Sequence, residues 1–147
     1  GLRLSIGEKV RNGKEMIDIH IINFTHPLTE EQLVAIEKMI GKKVSKVIQI
    51  TSQIDVNRLL VEQVEAMIEE VGLTAEEWQS LPLLINLPSL NYSTTVMLAL
   101  LHGRMRYFPA TICLRPVTGA IPPRFEVAEI VNLQEARERG RVQRESR

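Results

Sequence analysis

The sequence predicts one α/β domain built on a mainly parallel sheet. Apolar strand-like runs recur and are followed by polar turns and by segments with helical periodicity, the alternation that makes a parallel sheet covered by helices. Thr29 with Gln32, and Thr74 with Glu77, have the spacing of a capping box, which marks helix starts. The chain has 147 residues, 44% of them hydrophobic, which suits a single domain with one continuous core.

Residues 1–15 hold Arg3, Lys9, Arg11 and Lys14 with three glycines and few apolar side chains, so they read as an N-terminal extension. Met16, directly before the first apolar run, reads as a natural start. The domain proper then covers residues 16–133.

The first unit is Ile17 to Gln32. Ile17, Ile19, Ile21 and Ile22 suit a strand covered on both faces, interrupted only by Asp18 and His20. Asn23, Phe24, Thr25 and His26 form its tip, Pro27 and Leu28 stop it, and a helix begins after Thr29. Leu33, Ile36 and Ile40 repeat at helical spacing before Gly41 ends that helix. Val44 to Ile50 alternates as a second strand. Asp55 is placed to cap a helix from about Val56 to Val71, with Leu60, Val64, Met67 and Val71 on one stripe. The glutamates Glu62, Glu65, Glu69 and Glu70 read as its solvated face.

Thr74 opens a short helix containing Trp78, which reads as a core residue. Leu83, Leu84, Ile85 and Leu87 form a third strand that runs into Pro88, Ser89, Leu90 and Asn91. An apolar helix from Val96 to Leu101 follows, reaching Arg104, with the polar run Asn91 to Thr95 at its start. Thr111 to Leu114 and Phe125 to Val131 read as two further strands in a hairpin-like edge, joined through Pro116, Gly119, Pro122 and Pro123. Residues 134–147 form a charged tail with Arg137, Arg139, Arg141, Arg144 and Arg147 among three glutamates, and read as a frayed surface helix.

Placing the second strand on one side of the first and the third on the other makes the gap between strands one and three the switch point, where open α/β sheets bind ligands beyond the carboxyl ends of the strands. Two similar tips meet there: Ile22-Asn23 followed by Thr25-His26-Pro27, and Ile85-Asn86 followed by Pro88-Ser89. Asn23 and Asn86 can address a base edge, Thr25 and Ser89 a phosphate, and Phe24 or Tyr92 can stack on a base. Helix-start amides beside Asn91 and Tyr92 favour an anion. No glycine-rich fingerprint and no GKS or GKT sequence accompanies them, so this is not a dinucleotide or P-loop motif.

Each candidate has a plainer reading. His26 is equally suited to tying its turn together, Asn23 and Asn86 to bonding neighbouring loops, and Arg104 to answering a helix dipole. Arg106 and Arg124 are similarly ambiguous. His20, His26, His102 and Cys113 have no metal-ligand spacing, and nothing in the sequence calls for a cofactor. The formal net charge of zero argues against a general basic field for duplex nucleic acid. One cysteine, no signal-peptide pattern and no membrane-length apolar run point to a cytoplasmic protein without a membrane partner.

Four blocks of sequence, Asn23 to Gln32, Pro82 to Leu90, Leu101 to Met105 and Pro122 to Ile130, resemble the Csx-fifteen family of type III CRISPR ancillary proteins. The resemblance extends over about residues 16–133. It implies a CARF-like, Rossmann-like domain that forms a homodimer and recognises cyclic oligoadenylate, cyclic tetra-adenylate being the expected ring, with higher assembly around ligand left open. Asn23, Phe24, Thr25, His26, Asn86, Pro88, Ser89, Asn91, Tyr92 and Arg104 are the expected ligand-binding residues, and the expected action is sequestration of the messenger. The first alternative is a metal-independent ring nuclease using His26, Ser89 and Arg104. The second is a sensor that recruits a partner through its arginine-rich tail.

Overall fold

The computed structural model describes residues 18–145. The expected extension over residues 1–15, with Met16 and Ile17, lies outside the described residues. The chain continues through β1 (Ile19–Asn23), α1 (Glu30–Ile40), β2 (Val44–Gln49), α2 (Leu60–Glu70), α3 (Ala75–Ser80), β3 (Leu83–Asn86), α4 (Asn91–Met105), β4 (Ala110–Pro116), β5 (Phe125–Asn132) and α5 (Leu133–Glu145).

These strands make one five-stranded sheet in the order β2-β1-β3-β4-β5, with β5 alone antiparallel to its neighbour. The order reverses between β1 and β3, the switch point expected from right-handed crossovers. The architecture is α/β with a mostly parallel sheet flanked by helices, compatible with a Rossmann-like arrangement.

The apolar run of β1 is explained by burial on both faces. Ile21 packs on one side with Ile36, Leu84 and Ile112, while Ile22 packs on the other with Phe24, Trp78 and Met97. Successive side chains point to opposite faces, so a strand between two helical layers needs apolar residues at nearly every position. β3 does the same with Leu84 and Ile85. The edge strand β2 buries Val44 but exposes both Lys46 and its neighbour Val47, so the alternation expected from the sequence is not kept past the register shift against β1.

Both capping boxes form. The Gln32 amide donates to Thr29 Oγ1 at 3.2 Å and the Thr29 amide to Gln32 Oε1 at 2.9 Å. In the second, the Glu77 carboxylate is held below its ordinary pKa range, chiefly by the Thr74 backbone amide that donates to it at 2.9 Å. Trp78, 1% exposed, anchors α3 in the core.

α2 is shorter than the sequence suggests, starting at Leu60 rather than near Val56. Asp55 does not cap it. Its Oδ1 accepts from the Asn57 amide at 2.9 Å, which turns the chain, and Gln63 secures that turn. Gln63 Oε1 accepts from the Asp55 amide at 2.7 Å, while Nε2 donates to the carbonyls of Asp55, Arg58 and Leu59. A local side-chain network thus takes up the groups that an earlier helical turn would have used.

α4 begins earlier than its apolar segment, at Asn91, and buries Ser93, Met97, Leu101 and Met105 on one stripe. The β4–β5 hairpin carries a register shift between Cys113 and Leu114, and a cross-strand pair joins Arg115 Nε to Glu126 Oε1 at 2.9 Å. α5 buries none of its residues and is fastened at its start, where Gln134 Oε1 accepts from the Phe108 amide at 2.9 Å.

Candidate functional site

At the carboxyl ends of β1 and β3 lies a cleft of about 860 Å³. Thr25, His26 and Pro27 from the β1 tip line it together with Ser89 from the β3 tip. The start of α1 supplies Thr29, Glu30, Glu31 and Gln32, and the hairpin closes another side with Leu114, Pro123, Arg124 and Phe125. The size falls within the usual range of roughly 300–1,000 Å³ for small-molecule sites.

Asn23 builds this cleft without facing it. It is fully buried, its Nδ2 donating to the His26 carbonyl at 2.9 Å, while its Oδ1 accepts from the Thr25 amide at 3.0 Å and from Asn86 Nδ2 at 3.1 Å. The Phe24 amide donates to the Asn86 carbonyl at 2.9 Å, so the two tips are joined by backbone and side chain together. The paired asparagines are a clamp across the switch point: the Asn23 amide is used up inside the protein, and Asn86, 4% exposed, donates to it. Their expected role in reading a base edge is therefore corrected.

Two further expectations change in the same way. Phe24 is 0% exposed and packs with the α2 and α4 layer, so it cannot stack on a ligand. Pro88 is buried, and its carbonyl accepts from Thr94 Oγ1 at 2.7 Å. Apolar neighbours on both sides of the tips draw these side chains inward.

Thr25, His26 and Ser89 are brought together on the cleft wall as expected. The Thr25 carbonyl accepts from Gln49 Nε2, which steadies the tip from β2. Asn91 and Tyr92 are exposed at the first turn of α4 but stand outside the cleft lining. Arg104 is not part of this neighbourhood. α4 carries it away from Ser89 by about 20 Å at 1.5 Å per residue, and its guanidinium pairs with Glu69 of α2. The trio of His26, Ser89 and Arg104 is thus not assembled within one copy of the chain.

The two helix starts beside the cleft differ. α1 is closed by its capping box and carries Glu30 and Glu31 in its first turn, where their charges oppose an incoming anion. α4 has Leu90 at its N-cap position, no side-chain cap bond and no acidic residue in its first turn. Its leading amides are the more favourable place for a phosphate.

Sequence reasoning did not nominate the hairpin residues Leu114, Pro123 and Phe125, and it left Arg124 ambiguous. The signal was the Pro122 to Ile130 block, whose position against α1 depends on a contact between residues far apart in the chain. Among the described residues, no group of three or more His, Cys, Asp and Glu side chains has the arrangement to hold a metal ion. No helix among them is long and apolar enough to cross a membrane. Comparison with protein-family models, with curated proteins and with solved structures gives no significant match.

Proposed function

We propose that the protein binds a cyclic oligoadenylate, with cyclic tetra-adenylate the preferred ring, in clefts related by the two-fold axis of a homodimer. Binding sequesters the messenger and lowers its free concentration in type III CRISPR antiviral signalling. The observation that carries this reading is the cleft at the switch point between β1 and β3, with the open amino end of α4 beginning two residues after Ser89. The four blocks that resemble the Csx-fifteen family supply the ligand class. Three of them bear on this end of the sheet: they contain the β1 tip with the α1 start, the β3 tip, and the cleft-lining part of the hairpin.

Thr25, His26 and Ser89 offer hydroxyl and imidazole groups to phosphate and ribose, and α4 offers unbonded amides. Exposed Tyr92 supplies a ring on which an adenine can stack. A symmetric dimer presents every such group twice, matching a ring that itself has two-fold symmetry. Sequestration requires only that the complex be tight and the protein abundant.

The ring-nuclease reading keeps one supporting observation, since His26 and Ser89 share the cleft wall. In that reaction a ribose 2′-hydroxyl attacks the neighbouring phosphate and gives up its proton to water, the bond to the 5′-oxygen breaks, and the leaving oxygen takes up a proton. His26 is the residue placed to donate it. Arg104 has no part in this version.

Leu90→Asp tests the binding reading. An aspartate at this N-cap position is expected to strengthen α4 by about 1 kcal/mol while putting a negative charge where a phosphate would sit. The expected result is a protein at least as resistant to urea as the parent whose affinity for cyclic tetra-adenylate falls about tenfold or more. Unchanged affinity in this variant would remove the α4 amino end from the site.

A further inference from the structure

We infer that Arg124 is the residue that makes the cleft select an anionic ligand, and that Gln32 is the positioning residue that holds it at the cleft wall. The inference rests on the binding reading above and adds to it the source of charge and the link that fixes it.

Of the groups lining the cleft, Glu30 and Glu31 are acids and Arg124 is the one residue that is always cationic. Two carboxylates beside a ligand with several phosphates would repel it, so an anion site here needs a compensating charge. Arg124 is exposed, and among the described residues its side chain makes no ion pair or hydrogen bond, although Glu31 lines the same cleft. It also borders the adjoining hollow of about 250 Å³ between α1 and β5 and a third hollow formed by Ala120, Ile121 and Pro122. A guanidinium here can present its planar fork to a phosphate without first giving up a protein partner.

The backbone that carries it is held from both sides. The Arg124 carbonyl accepts from the Val117 amide at 2.9 Å, closing the end of the hairpin. The next residue, Phe125, receives through its carbonyl a bond from Gln32 Nε2 at 3.0 Å, across 93 positions of sequence. Gln32 therefore does two things with one amide: Oε1 completes the α1 capping box and Nε2 ties the hairpin to that helix. Glutamate would serve the capping box equally well but has no N–H to donate. The tie to Phe125 is what requires glutamine.

The test uses the full chain, with labelled cyclic tetra-adenylate as probe and titrations at low and high salt. Arg124→Ala is expected to weaken binding about tenfold or more at low salt, the effect of losing one charge-assisted contact, and to flatten the salt dependence. Arg124→Lys is expected to restore part of the affinity. Gln32→Met, which removes the N–H without adding a charge, is expected to weaken binding, while the loss of its half of the capping box is read separately as a small shift of the urea midpoint. The double variant is expected to bind no more weakly than Arg124→Ala alone, because a residue that acts only by placing another adds nothing once that other is gone.

Additive losses in the double variant would mean that Gln32 acts on the ligand independently of Arg124, and would overturn its positioning role. Full affinity in Arg124→Ala would overturn the inference while leaving the binding reading in place. Failure of the parent chain to bind the probe would overturn the binding reading, and this inference with it.

Discussion

At the scale of single residues, Asn23 shows how chemistry and burial compete for one side chain. Its amide suits a nucleobase edge, yet its three hydrogen bonds go to His26, Thr25 and Asn86, all inside the protein. Asn23→Ala is therefore expected to cost about 1–3 kcal/mol of stability by stranding buried groups, measured as a shift in the urea midpoint without change in the slope. Any loss of binding would follow from a displaced His26 and Thr25 tip. A variant of undiminished stability would contradict this account. The sequence identified the residue and its place at the strand end, but not which way it faces, because that depends on Phe24 and Ile22 being drawn into a core assembled from distant elements. Arg124 has the opposite history. Its role was ambiguous in the sequence, since nothing near it there tells that the start of α1 lies opposite.

At the scale of elements, helix starts and strand identities were legible where the determinant is local. Thr29 with Gln32 and Thr74 with Glu77 carry their own partners within three residues, and each cap forms. Asp55 fails as a cap because Gln63, eight residues on, takes hold of the intervening turn. That competition is invisible to a pattern confined to one helical turn. α4 shows another division of labour: its open amino end begins two residues after the cleft-lining Ser89, and its far end carries Gly103. A Cβ added at Gly103 meets nothing within 4 Å, so Gly103→Ala is expected to raise stability by roughly 0.5–1 kcal/mol, read in urea unfolding. Ligand affinity should stay unchanged, because the substitution is near the opposite end of the helix from Ser89. An equal loss of affinity would show that the α4 carboxyl end communicates with the cleft.

At the scale of the whole molecule, the strand order followed from the alternation of units and the right-handed crossover, and so did the place of the cleft. The wall formed by the hairpin did not, since the Gln32 bond to Phe125 that anchors it joins residues no local rule connects. The central claim concerns the fate of the ligand. Excess protein is mixed with labelled cyclic tetra-adenylate, complex formation is followed, the protein is denatured, and the released nucleotide is separated and identified. The account predicts a tight complex from which the intact ring is recovered. Recovery of linear adenylates would contradict sequestration and turn attention to His26 and Ser89 as catalytic groups, whereas no complex would contradict the assignment of the ligand itself.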